Sequence, residues 1–136
     1  MPAAIKISGE IIAAMRAHAA RESDRECCGL LAGHNGEISV IFPAANAAEN
    51  PSTSYEIAPA DLFRIMREIH AAGLDLLGIY HSHPRTENAP SPRDIESAYY
   101  PETPHFILSP RADATNPVRA FLIREGAFTE LSIEVV

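Results

Sequence analysis

The chain has 136 residues, 46% of them apolar, with a formal net charge of -7. That is enough to build one domain, 1-136, with a sizeable core and no disulfide or structural metal. An acidic balance without any Lys/Arg run excludes a phosphate-binding face, so no nucleic acid partner is expected. No apolar stretch is long enough for a bilayer, so no membrane partner is expected either, and Met1-Pro2-Ala3-Ala4-Ile5-Lys6 lacks the basic start and apolar core of a secretory signal, so the expected compartment is the cytoplasm.

Along the chain, Ser8 is an N-cap candidate for a helix over Ser8 to Ala20, with Ile11, Ile12, Met15 and Ala19 at helical spacing. His18, near its C-terminal end, is expected on the surface, where the helix dipole favours it. Residues 27 to 34 and 37 to 42 form a hairpin around Asn35-Gly36, a type I′ turn signal, with His34 exposed beside the turn. Cys27 and Cys28 are adjacent, so on a strand they face opposite sides and cannot bridge each other. They read as reduced, buried, small apolar residues. Residues 43 to 54 are a loop, followed by a short strand near Tyr55 to Ile57.

A second helix fits Pro59 to Ala72, with Leu62, Ile65, Met66 and Ile69 as its buried stripe and Gly73 past its end. His70 in its last turn is expected on the surface. The apolar run Leu74 to Tyr80 begins a strand that extends to His83. A loop over 84 to 90 leads to a short helix from Pro92 to about Tyr100. Strands follow at His105 to Leu108 and Val118 to Arg124, then a turn at Glu125-Gly126 and a last strand from Phe128 to Val136. His105, at the head of an apolar run, reads as a structural histidine with its hydrogen bonds satisfied. The order of elements predicts an α/β, three-layer domain with a mixed β-sheet flanked by helices.

The chemistry concentrates in Gly78-Ile79-Tyr80-His81-Ser82-His83-Pro84 and Ser91-Pro92-Arg93-Asp94. Positions i and i+2 of a strand share a face, so the imidazoles of His81 and His83 converge. The Pro-rich loop can fold Asp94 back towards them. Two nitrogens and a carboxylate oxygen leave the fourth position of a tetrahedral zinc open for water, as in a catalytic site. Ser91, Pro92 and Asp94 also read as N-cap, N1 and N3 of a helix. The two readings are compatible, because a helix start is a rigid mount for a ligand. The Ser91 hydroxyl is placed to donate to an oxyanion, a contact worth ~3 kcal/mol.

With Glu26 upstream, His81-Ser82-His83, Ser91 and Asp94 resemble the JAMM (MPN+) metalloprotease signature in type, order and spacing. The Glu26-Cys27-Cys28-Gly29 segment supplies the E-x-C-G context, and Asn46 to Ile57, with Pro51 and Tyr55, resembles the family's central loop. The resemblance implies a curved, cytidine-deaminase-like sheet flanked by helices. It also implies one zinc per chain on His81, His83 and Asp94, with Glu26 as general base and Ser91 as a catalytic hydroxyl. The residues alone do not single out Glu26, since Glu22 lies nearby.

The short length resembles compact prokaryotic members that act on ubiquitin-like sulfur carrier proteins. The resemblance implies hydrolysis of an amide after a C-terminal Gly-Gly of such a carrier, with cysteine as one released group. Alternatives are a non-enzymatic scaffold subunit, against which all the ligands speak, and a general small-substrate metalloamidase. An H-x-H cupin would need a glutamate in strand context, and Glu87 sits in the loop instead. A zinc deaminase would need P-C-x-x-C, which is absent. A thiol hydrolase on Cys28 would need a partner base that the sequence does not identify.

Overall fold

A computed structural model describes residues 4–136; Met1, Pro2 and Ala3, part of the start read for a targeting signal, lie outside the described residues. The strands are β1 (Ile5–Ile7), β2 (Cys28–His34), β3 (Glu37–Ala44), β4 (Asp75–Ser82), β5 (His105–Leu108), β6 (Val118–Arg124), β7 (Ala127–Leu131) and β8 (Ile133–Val135). The helices are α1 (Gly9–Arg21), α2 (Pro59–Ala71) and α3 (Pro92–Glu96).

The strands form one mixed sheet in the order β7-β6-β5-β4-β2-β3-β1-β8. Pairs β4/β5, β1/β3 and β1/β8 are parallel and the rest antiparallel. Strands β7 and β8 sit at opposite ends of that order, yet only Ser132 separates them. The sheet must therefore curl until its two ends nearly meet. Leu131 pairs with Ala120 at one end and Ile133 with Ile5 at the other.

Local chemistry explains the hairpins. Asn35 and Gly36 have φ of 53° and 76°, and Glu125 and Gly126 have 49° and 77°, the left-handed pairs that a type I′ turn requires. Central β2 is buried from Cys28 through Gly33, as a strand covered on both faces must be. Ile11, Met15 and Ala19 of α1 cover one face against Leu31, Tyr80, Phe106 and Leu108. Ile65 and Ile69 of α2 cover the other against Cys28, Leu30 and Ala32. On that second face, Ile95 of α3 packs over Ile107, Phe121 and Ile123. The curved sheet thus lies between helical layers, as expected.

Several expectations need correction. Strand β1 is outside every expected element, because a three-residue strand carries no readable alternation. The single strand expected over Phe128 to Val136 breaks at Ser132, where the chain passes from one sheet end to the other. The expected strand at Tyr55 to Ile57 reduces to an isolated bridge between Asn46 and Ile57. Helix α3 stops at Glu96, short of Tyr100. Met66 is 38% exposed, because the core contact of α2 narrows to Ile65 and Ile69.

His18 is buried rather than on the surface. Its Nδ1 lies 2.7 Å from the Tyr80 hydroxyl and its Nε2 2.7 Å from Glu22 Oε2. Helical periodicity cannot reveal this, since Tyr80 comes from a distant strand.

Candidate metal centre

Strand β4 delivers His81 to the face shared with α2 and α3. His81 pairs in register with Cys28 on one side and Ile107 on the other, and its ring stacks on Tyr55 at 4.3 Å and 19°. His83 lies one residue past β4, where its backbone N–H donates to the Leu108 carbonyl at 2.9 Å. Two residues along the chain, it returns to the same face.

Asp94 arrives from α3. Ser91 is the N-cap, and its Oγ accepts from the Asp94 N–H at 3.1 Å. Asp94 Oδ2 reciprocally accepts from the Ser91 N–H at 3.0 Å. This capping box aims the carboxylate while it starts the helix. The box that starts the helix therefore also holds the carboxylate of Asp94 beside the two histidines.

Glu26 stands just before β2. Its N–H donates to the Pro51 carbonyl at 2.7 Å, and its carbonyl accepts from Asn46 Nδ2 at 2.9 Å. Asn46 also donates to the Ser54 carbonyl, while its Oδ1 accepts from the N–H groups of Ala48 and Glu56. One side chain thus ties the loop to the root of Glu26. Sequence reading placed Asn46 in the loop but gave it no role; the only local signal is a polar residue able to replace missing backbone partners.

The ligand-capable atoms of Glu26, His81, His83 and Asp94 all lie within 4.8 Å of one another. His81 Nε2 is 3.1 Å from His83 Nε2, and the two are 3.2 and 3.0 Å from Asp94 Oδ2. A tetrahedral zinc with bonds of about 2.0–2.1 Å spaces its donors by roughly 3.3 Å. The observed triangle is close to that size. The ring tautomer agrees for His83, whose Nδ1–H donates to the Glu87 carbonyl at 2.8 Å and leaves the Nε2 lone pair facing Asp94. Three donor-capable atoms converge on one buried point, where either shared protons or a metal ion can hold them together. The residues present fit a metal ion.

Electrostatics carry the same message. Burial alone raises Asp94, but hydrogen bonds from His81 and His83 outweigh it and hold the carboxyl well below its usual range. Burial lowers His81. Burial lowers His83 too, yet hydrogen bonds to Asp94 and the Glu87 carbonyl, with the charges of Asp94 and Glu26, together raise it. Glu26 is pushed up to about 7 by burial, partly opposed by the His83 charge, and its Oε1 has no hydrogen-bond partner among the described residues. Glu22, the other candidate acid, is committed to His18. Glu87 is exposed and pairs with Arg119 at 3.4 Å, so only its carbonyl serves the site.

Cys27 and Cys28 are buried free thiols packed on opposite faces of the sheet. Burial pushes them up to about 11 and about 12, so neither is a thiolate nucleophile at neutral pH. The motif glycine has a packing reason: a Cβ on Gly29 would lie 2.5 Å from the Tyr80 ring.

Known proteins resemble the chain along most of its length. The family described as prokaryotic homologs of the JAB domain matches residues 8–124. A Thermus thermophilus protein called a probable TtuB-protein conjugate cleaving protease is 40% identical, over 82% of this chain and 70% of its own. The CysO-cysteine peptidase of Mycobacterium tuberculosis is 33% identical, over 96% and 90% respectively. A Desulfitobacterium hafniense protein solved in solution superposes with a TM-score of 0.84 at 26% identity, covering 96% of this chain and 92% of that one.

Proposed function

The chain belongs to the family of prokaryotic homologs of the JAB domain, and we propose that it is a zinc peptidase acting on a carrier protein. The reaction is hydrolysis of the amide that follows the C-terminal Gly-Gly of a ubiquitin-like or sulfur carrier protein, with cysteine as one leaving group. The observation that carries this reading is the convergence of His81, His83 and Asp94 on one buried point with Glu26 beside it. The substrate class is supported by the relatives named for a protein conjugate and for a cysteine adduct.

His81 Nε2, His83 Nε2 and Asp94 Oδ2 would hold the ion. A zinc there supplies a water of lowered pKa and polarises the scissile carbonyl. Glu26, brought towards neutrality by burial, takes a proton from the attacking water and passes it to the departing amine. Its unpartnered Oε1 is free for that exchange. Ser91 Oγ accepts from the Asp94 N–H, so its own proton remains available for the developing oxyanion. Tyr55, stacked on His81, limits rotation of that ring.

A tail of two glycines offers backbone and no side chains, so its recognition relies on main-chain hydrogen bonds in a narrow groove. No helix among the described residues is long and apolar enough to cross a membrane; a cytoplasmic setting, where such carriers and reduced thiols coexist, belongs to the same proposal. The test is to incubate zinc-loaded protein with a Gly-Gly-tailed carrier bearing a C-terminal cysteine and follow the mass. Cleavage after the second glycine, lost in Glu26→Gln, is expected. An intact adduct despite full zinc occupancy refutes the reading.

A further inference from the structure

Three buried side-chain polar atoms have no partner among the described residues: Glu26 Oε1, His81 Nδ1 and His105 Nε2. The first belongs to a member of the Glu26, His81, His83 and Asp94 cluster. The other two belong to neighbouring strands. β4 and β5 run parallel with Ile79 opposite His105 and His81 opposite Ile107. His81 and His105 are therefore diagonal neighbours on one face of the sheet. His105 is 4% exposed, and His81 is 1% exposed. His105 does not have the satisfied hydrogen bonds that its place before an apolar run suggested.

The two orphaned nitrogens are complementary. If His81 presents Nε2 to a cation, its Nδ1 must carry a proton and needs an acceptor. A ligating imidazole nearly always gives that second N–H to a carbonyl, carboxylate or water. His83 follows the rule through the Glu87 carbonyl. Three other side chains lie against His81 or its partners. Asp94 Oδ2 faces both Nε2 atoms, Cys28 Sγ contacts the Ala44 carbonyl, and Tyr55 offers a ring face. His105 Nε2 remains.

We infer that His105 is a positioning residue for His81, its Nε2 accepting the Nδ1–H of His81 across one bridging water. A water with two polar partners on a buried face is an ordinary structural component. The bridge fixes the His81 tautomer and ring angle, as the Glu87 carbonyl does for His83. It requires His105 to be the Nδ1–H tautomer. The burial of His105 favours the neutral ring this needs. The inference rests on the metal reading, and its test separates the two.

Zinc affinity is measured by chelator competition for the wild type, His105→Phe and His105→Gln, with the fold checked by melting of the metal-free proteins. The Phe variant is expected to bind zinc about tenfold more weakly or worse. The Gln variant, whose side-chain oxygen reaches the Nε2 position, is expected to recover most of the loss. Equal affinity in all three, or equal loss in Phe and Gln, overturns the role. Nitrogen-15 NMR of the zinc-loaded wild type gives a readout independent of any variant. It should show a protonated His81 Nδ1 and an unprotonated His105 Nε2, and a proton on His105 Nε2 overturns the inference. Wild-type protein that binds no zinc refutes the metal reading itself.

Discussion

Glu26→Gln should stabilise the metal-free protein at alkaline pH while abolishing turnover. Glu26 is 4% exposed, and burial moves it from 4.5 to about 7. A carboxyl raised in the fold binds its proton more tightly folded than unfolded. Below 4.5 both states are protonated and the shift has no effect on stability. Between 4.5 and about 7 only the unfolded state ionises, so stability falls as pH rises. Above about 7 the loss is complete. At ~1.4 kcal/mol per unit, the buried carboxylate costs about 3 kcal/mol at pH ~8. Gln has nearly the same shape and never ionises. Its advantage should be close to zero at pH ~4.5 and rise to about 3 kcal/mol at pH ~8, roughly 10 °C in Tm for a chain of this size. The assay is thermal melting in chelator at both pH values, with turnover measured on the zinc-loaded proteins. A Tm difference that does not change with pH would refute the reasoning, as would a Gln variant less stable than wild type at pH ~8. A bound dication should reduce the difference, because it favours the carboxylate.

Replacing His81, His83 or Asp94 by Ala should each reduce zinc from about one per chain to near none by mass spectrometry; full occupancy in Asp94→Ala would leave that residue only its cap. Ser91→Ala should keep zinc, lose about 1 kcal/mol of stability from the cap in chemical denaturation, and lower kcat by roughly 100-fold. A stability loss with normal kcat would restrict Ser91 to capping. Cys28→Ser should retain activity with at most a modest loss of stability, and chelation should abolish turnover in both proteins; activity that survives the chelator would reopen a thiol mechanism. Replacing either tail glycine of the carrier by Leu should lower kcat/KM strongly, whereas changing the released residue should matter less; equal cleavage of Leu-Leu and Gly-Gly tails would refute a narrow groove.

The His81, His83 and Asp94 cluster is legible in sequence because its geometry is local. Alternation on one strand brings the histidines to one face, and a helix start mounts the carboxylate. Both rules act over a few residues. Glu26 is different. Its position depends on the Pro51 carbonyl and on Asn46, and periodicity does not encode that loop fold. Only the motif context distinguished it from Glu22, which the fold commits to His18. The His18–Tyr80 contact spans 62 residues, and a helix that looks surface-bound at its end gives no sign of it. The same holds for His105. Its burial was readable from the apolar run, but its missing partner depends on the parallel register of β4 and β5.

Hydrogen-bonded backbone fixes the functional side chains, from another element for His83 and Glu26 and from its own helix cap for Asp94. Leu108 of β5 holds His83, Pro51 and Asn46 of the loop hold Glu26, and the Ser91 cap holds Asp94. Ser82, between the two histidines, points to the opposite side and accepts the Cys27 N–H at 2.9 Å, locking β4 against the start of β2. The alternation that brings His81 and His83 to one face therefore also aims Ser82 at the backbone next to Glu26. Strand β4 sets the separation between the acid and the ligands through one hydrogen bond as well as through its ladder. The loop after β4 is held in turn, with the Glu87 carbonyl fixing His83 and Asn88 anchoring the same loop to the Ile107 and Asn116 carbonyls. A short loop held at both ends in this way leaves little freedom in the His83 tautomer, and that constraint matters more to a metal site than the length of the loop.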